Sequence, residues 1–148
     1  MKRLLNRALS FIRLKRSRKI LFFEVLLLSA YRGILVFFRS PLASSERLFQ
    51  EDELSVDSPI SADQLVWIAD ISAAIRLGAK YIPWVNVCRH QAWQAIRLLR
   101  KYRIPYSYHV GMKRVPTNGK RDAHAWVMAG GRFVSGHCRR EDYIEIKF

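Results

Sequence analysis

The longest apolar run of the chain covers residues 20–38 and is broken by Glu24 and Arg32. Glu24, Leu28 and Arg32 follow at one-turn spacing, so both charges fall on one face of a helix. The run is long enough to span a bilayer. Each internal charge would cost roughly 2.5–3.5 kcal/mol near a bilayer centre, so the pattern predicts a helix of a soluble protein with its polar stripe outward. An uninterrupted apolar stretch followed by a small-residue cleavage site is missing, which argues against a signal peptide. Ahead of the run, Leu5, Ala8, Leu9 and Ile12 at helical spacing predict a short basic amphipathic helix within residues 1–19.

Pro41 ends this region by removing a backbone donor, and residues 40–60 read as a Ser-, Pro- and acid-containing linker. A helix is predicted from Ser61, because Ser61 and Gln64 have capping-box spacing. Leu65, Ile68, Ala69, Ile71, Ile75 and Leu77 supply its apolar face, and Gly78 is expected to close it. After Pro83 a second helix runs from residue 87 or 88 to 102, with Ala92, Ala95, Ile96, Leu99 and Tyr102 inward. Arg97, Arg100, Lys101 and Arg103 face water. Beyond Pro105 the period changes to two: Tyr106, Tyr108, Val110 and Met112 alternate, followed by a polar turn at Pro116, Asn118 and Gly119. Further strands are expected over 123–128, from Arg132 after the Gly130–Gly131 turn, and over 143–148. Helices first and an antiparallel meander afterwards make an α+β layout. Its expected division is a basic helical region with linker over 1–58 and a second domain over 59–148.

Composition narrows the classes. Half of the 148 residues are hydrophobic and 12% are aromatic, enough for a packed core. The formal charge of +14 is concentrated at the front: residues 1–50 carry 11 Lys/Arg against 2 Asp/Glu, a net of +9. Such a segment suits acidic partners or peripheral contact with a membrane surface. No helix-turn-helix, zinc-finger or aromatic RNA-binding motif accompanies it, so no nucleic-acid partner is expected. Two cysteines far apart in sequence make no disulfide framework, and a reducing, cytoplasmic setting is expected.

The chemistry centres on Cys88 in PWVNVCRHQAWQAIRLL and His124 in DAHAWVMAGGRFVSG. A cysteine in the first turn of a helix meets unpaired amide N–H groups and the positive end of the macrodipole, which favour thiolate over thiol. His124 opens a strand, and packing that strand on the Cys88 helix would bring imidazole to sulfur as nucleophile and general base. The plainer reading makes Cys88 a small buried hydrophobe. Zinc is a further alternative for Cys88, His90, His109, His124, His137 and Cys138, but neither close pair has structural-zinc spacing. No metal is therefore expected. Without a phosphate loop of the P-loop type no nucleotide cofactor is expected either.

Both motifs, in order and at this spacing, resemble the transglutaminase-like cysteine protease of lasso-peptide biosynthesis, the B protein. The resemblance rests on Pro83-Trp84, three residues, Cys88, an Ala/Leu/Arg-rich helix, a Gly-Val-like strand and Ala-His-Ala-Trp ending in a Gly-Arg turn. It covers residues 60–148 well and the basic front end less specifically. It implies a transglutaminase-like (papain-like) core and a leader peptidase. In that enzyme Cys88 attacks the scissile carbonyl of a precursor peptide, and His124 takes and returns the proton. The family usually places an Asp about twelve residues after the His; here that position is Gly136, leaving the third member of a triad to Asp122, Asp142 or no side chain. Trp84 and Trp126 are packing residues or groove walls, and Gln91 is either an oxyanion donor or a capping group, with the Cys88 N–H as the alternative donor. Cys138 reads as a bystander. The resemblance further implies a stand-alone protease form with a separate leader-recognition protein and an asparagine-synthetase-like cyclase as partners. Competing readings are a transglutaminase-like acyltransferase and a basic membrane-associated binding module without catalysis.

Overall fold

A computed structural model describes residues 14–38, 59–84, 86–116 and 122–146. In chain order these form α1 (Arg16–Phe37), α2 (Ala62–Tyr81), α3 (Cys88–Lys101), β1 (Ser107–Lys113), β2 (Ala123–Ala129), β3 (Arg132–Ser135) and β4 (Tyr143–Ile146). A 3-10 turn, Arg140–Asp142, precedes β4. The α+β class expected from the change of period is therefore the observed one. The short helix expected before residue 20 falls mostly on residues 1–13, outside the described residues. Pro41 and residues 40–58 of the linker also lie outside them.

α2 begins as its sequence dictates. Ser61 Oγ accepts from Gln64 N at 3.2 Å while Gln64 Oε1 accepts from Ser61 N at 3.0 Å, satisfying two donors at the helix start. Gln64 Nε2 also donates to the carbonyl of Arg103 at 3.0 Å, fastening the head of α2 to the chain leaving α3. Gly78 does not close the helix, which continues to Tyr81. A Cβ at Gly78 would stand 2.6 Å from Val25 Cγ1, so this glycine is there to let α1 approach closely.

α1 departs from the expected orientation. Arg32 is 2% exposed rather than solvated, and its guanidinium lies over the Trp93 ring, 5.6 Å from the centroid. Glu24 binds Lys101 of α3 at 2.6 Å, and Ser17 and Arg18 donate to Asp70 of α2 at 2.8 and 2.6 Å. The polar stripe thus turns inward toward partners on α2 and α3, which offset part of the penalty for burying polar groups. Leu21 and Val25 complete the inward face. What remains outward beyond the first turn is mostly apolar.

The sheet order is β3-β2-β1-β4, all pairs antiparallel. A meander would put β4 beside β3; instead it crosses to the far edge and pairs with β1. The chain between β3 and β4 makes that crossing through Gly136, at φ 66°, and the 3-10 turn. Along β2, Ala125, Val127 and Ala129 join Ile68, Ile71, Ile75 and the inward residues of α3 in one core. Ala92, Ala95, Ile96 and Leu99 are buried as expected. Burying aliphatic side chains of this size contributes roughly 1.5–3 kcal/mol each.

Candidate active site

Cys88 is the first residue of α3. Val87 caps the helix with extended backbone and no side-chain hydrogen bond, and its carbonyl takes the N–H of His90 at 2.9 Å and of Gln91 at 3.1 Å. The Cys88 N–H meets no acceptor among the described residues, so a backbone donor is open beside the half-buried thiol. The segment before the helix is held from both sides. Gln91 Nε2 donates to the carbonyl of Asn86 at 2.8 Å and Gln94 Nε2 to Asn86 Oδ1 at 3.2 Å. Trp84 Nε1 donates to Ser29 Oγ of α1 at 2.8 Å. Gln91 therefore secures the turn that presents Cys88.

His124 lies on β2, opposite Gly111 of β1. Its Nε2 stands 3.0 Å from the carbonyl oxygen of Gly136. A carbonyl can only accept, so Nε2 carries the proton and Nδ1 keeps the lone pair a base needs. Gly136 is required for this contact. At φ 66°, a Cβ there would lie 2.2 Å from the Ala125 carbonyl oxygen and 2.9 Å from Trp126 Cα.

The imidazole rests on aromatic neighbours. Trp126, 1% exposed, stacks with His124 at 6.2 Å and with His109 at 5.4 Å. It is a buried floor beneath the ring. Gly111 makes room for it, since a Cβ there would come within 3.0 Å of the indole. Trp84, by contrast, is 40% exposed and lies four residues before Cys88 in the chain.

The residue that sequence reasoning missed is Tyr143. Its ring centroid is 5.4 Å from that of His124, and Cys88 is among the groups whose charge bears on its hydroxyl. Burial, followed by Cys138, Asp142, Asp122 and Cys88, pushes its pKa above the usual tyrosine value, so it remains a protonated donor. No local signal could reveal it, because Tyr143 arrives on the strand that crosses to β1, opposite Lys113. Among the described residues the Cys88 thiol makes no hydrogen bond, to His124 or to any other group. Such contacts often tighten only when substrate binds.

Asp122 and Asp142 reach the neighbourhood without bonding His124. The Asp122 carbonyl accepts from Lys113 N at 3.0 Å and that of Asp142 from Arg114 N at 2.8 Å, so both stitch the end of the sheet. The ring nitrogen that a third carboxylate would hold is the one bonded to Gly136. Cys138 is half-buried, and burial raises its thiol pKa, which disfavours the thiolate. Burial and then Arg76 hold His137 below the usual histidine range.

Comparison with the curated proteins and with the solved structures found no match. The family model of the Transglutaminase-like superfamily matches residues 30–147, from within α1 through β4. That superfamily includes cysteine proteases and acyltransferases and is generally enzymatic. With that match spanning most of its length, and with helices packed on a four-stranded antiparallel sheet, this chain belongs to the Transglutaminase-like superfamily.

Proposed function

We propose that this chain is a cysteine peptidase that removes the leader from a ribosomally made lasso precursor peptide. The observation that carries the peptidase chemistry is the His124–Gly136 contact, because it assigns the proton to Nε2 and leaves Nδ1 basic. The resemblance of the PWVNVC and AHAW segments to the lasso B protein supports the choice of substrate.

In the proposed reaction the Cys88 thiol gives its proton to His124 Nδ1 as its sulfur attacks the scissile carbonyl carbon. The carbonyl oxygen becomes an oxyanion, facing the open N–H of Cys88. Collapse breaks the carbon–nitrogen bond, and His124 returns the proton to the departing amine, which is the new amino terminus of the core peptide. The leader is left as a thioester on Cys88. Water, deprotonated by His124, then attacks that thioester and releases the leader as a carboxylic acid with regeneration of the thiol. A separate leader-recognition protein would deliver the precursor, and an asparagine-synthetase-like cyclase would consume the freed core.

The test is to incubate the chain with a precursor peptide and its leader-recognition protein and to weigh the products. Hydrolysis adds one water across the scissile bond, whereas transfer to an added amine identifies an acyltransferase. Cys88→Ala is expected to abolish both. Cleavage by that variant at the wild-type rate overturns the assignment.

A further inference from the structure

We infer that the outward face of α1 is a docking surface for an anionic phospholipid bilayer, on which the helix lies flat. This inference is independent of the peptidase reading. Five polar side chains of α1 turn toward the fold: Ser17 and Arg18 to Asp70, Glu24 to Lys101, Ser29 to Trp84, and Arg32 over Trp93. The opposite side exposes Phe23, Leu27, Tyr31, Ile34, Phe37 and Phe38, with Leu27 69% and Phe37 81% accessible. Residues 20, 23, 27, 31, 34 and 38 fall at three- and four-residue steps, one line along a 22-residue helix. That helix is about 33 Å long. An apolar strip of this extent is unusual on a soluble monomer.

The polar contacts decide how a membrane would be met. α1 is long and apolar enough to cross a bilayer. Crossing would strip Asp70, 3% exposed, of its donors and separate Glu24 from Lys101, whereas lying in the interface keeps both pairs. Charge selects the occupant. Residues 1–19 hold eight Lys/Arg and no Asp/Glu, and the exposed Arg16 heads the apolar line. Anionic headgroups complement that end, and Phe and Tyr suit the boundary between headgroup and acyl chain. The same helix holds Trp84, four residues before Cys88, so docking would also fix the approach to the thiol relative to the membrane surface.

Sedimentation of the full chain with phosphatidylglycerol-containing vesicles, against vesicles of phosphatidylcholine alone, tests this. Binding to the anionic vesicles is expected, weakened about tenfold or more by Leu27→Gln with Ile34→Gln, and likewise by Lys15→Glu with Arg16→Glu. Leu27 and Ile34 are exposed, and Lys15 acts on Asp70 through its charge, so unchanged circular dichroism and melting temperature are required of each variant to show that it folds. Cys88→Ala is expected to bind as the wild type does, which separates this result from any failure of the peptidase reading. Absence of vesicle binding, or binding indifferent to Leu27→Gln with Ile34→Gln, overturns the inference. So does a dimer dispersed by that pair, which assigns the face to a second copy. Loss of binding to the leader-recognition protein without any vesicle binding assigns it to a protein partner instead.

Discussion

His124 donates from Nε2 to the main-chain carbonyl of Gly136 at 3.0 Å, across twelve residues of chain. A backbone oxygen thereby stands at the place where the resemblance to lasso B proteins implies an aspartate. It selects the tautomer as a carboxylate would, but it brings no negative charge to stabilise an imidazolium. The glycine is thus a requirement of the site: only a residue without Cβ can turn its carbonyl to the ring here.

Replacing Gly136 with Ala is expected to destabilise the fold by about 2 kcal/mol or more, because φ is positive and the new Cβ meets the Ala125 carbonyl. Precursor cleavage should fall at least tenfold with it. Gly136→Asp should fare no better, although it introduces the residue type that the resemblance to lasso B proteins implies there. Melting curves together with cleavage rates check both; an active, stable Gly136→Asp protein would refute the requirement.

The two thiols should react differently. Cys138 has its pKa raised by burial, while Cys88 sits at a helix N-terminus with an open amide beside it. Limited iodoacetamide near neutral pH, followed by peptide mapping, is expected to label Cys88 first and to abolish cleavage in proportion. Preferential labelling of Cys138 would contradict the picture.

Removing the Trp84–Ser29 hydrogen bond should loosen the approach to Cys88. Trp84→Phe and Ser29→Ala are each expected to cost about 1 kcal/mol and to slow turnover several-fold. Because both remove the same bond, the double variant should be little worse than either single one. Full additivity in stability would show that the bond is not what the two share.

Acid sensitivity should trace to Asp70. Burial alone would raise its pKa, but hydrogen bonds from Arg18 and Ser17 outweigh this and hold it below the usual carboxylate range. A carboxylate depressed in the folded state contributes stability that is complete above its unfolded pKa of about 3.9 and is lost as pH falls through the folded value. Asp70→Asn is therefore expected to lower stability at pH 7 by roughly 1–2 kcal/mol and to flatten the dependence below about pH 4. Chemical denaturation at both pH values measures it, and an unchanged acid limb would rule the pair out as its cause.

Local signals carried much of the architecture. The Ser61–Gln64 cap, the inward row of α3 and the change from helical to strand period all rest on neighbours within a few residues, so each was readable in the sequence. Gly78 shows the limit. As a helix stopper it satisfied a local rule, yet its reason for being small is Val25, on a different helix.

Residue order alone was enough to put a thiol at the head of a helix and an imidazole after it on a strand, and to give the α+β class. Those properties depend on period and capping, which act over a turn or two of chain. Long-range packing set which way α1 faces, sent β4 across to β1 and brought Tyr143 beside His124. It also decided that Gly136 meets the imidazole through its backbone. Each of these depends on partners dozens of residues away or on main-chain atoms that every residue type possesses, and a pattern of side chains records neither.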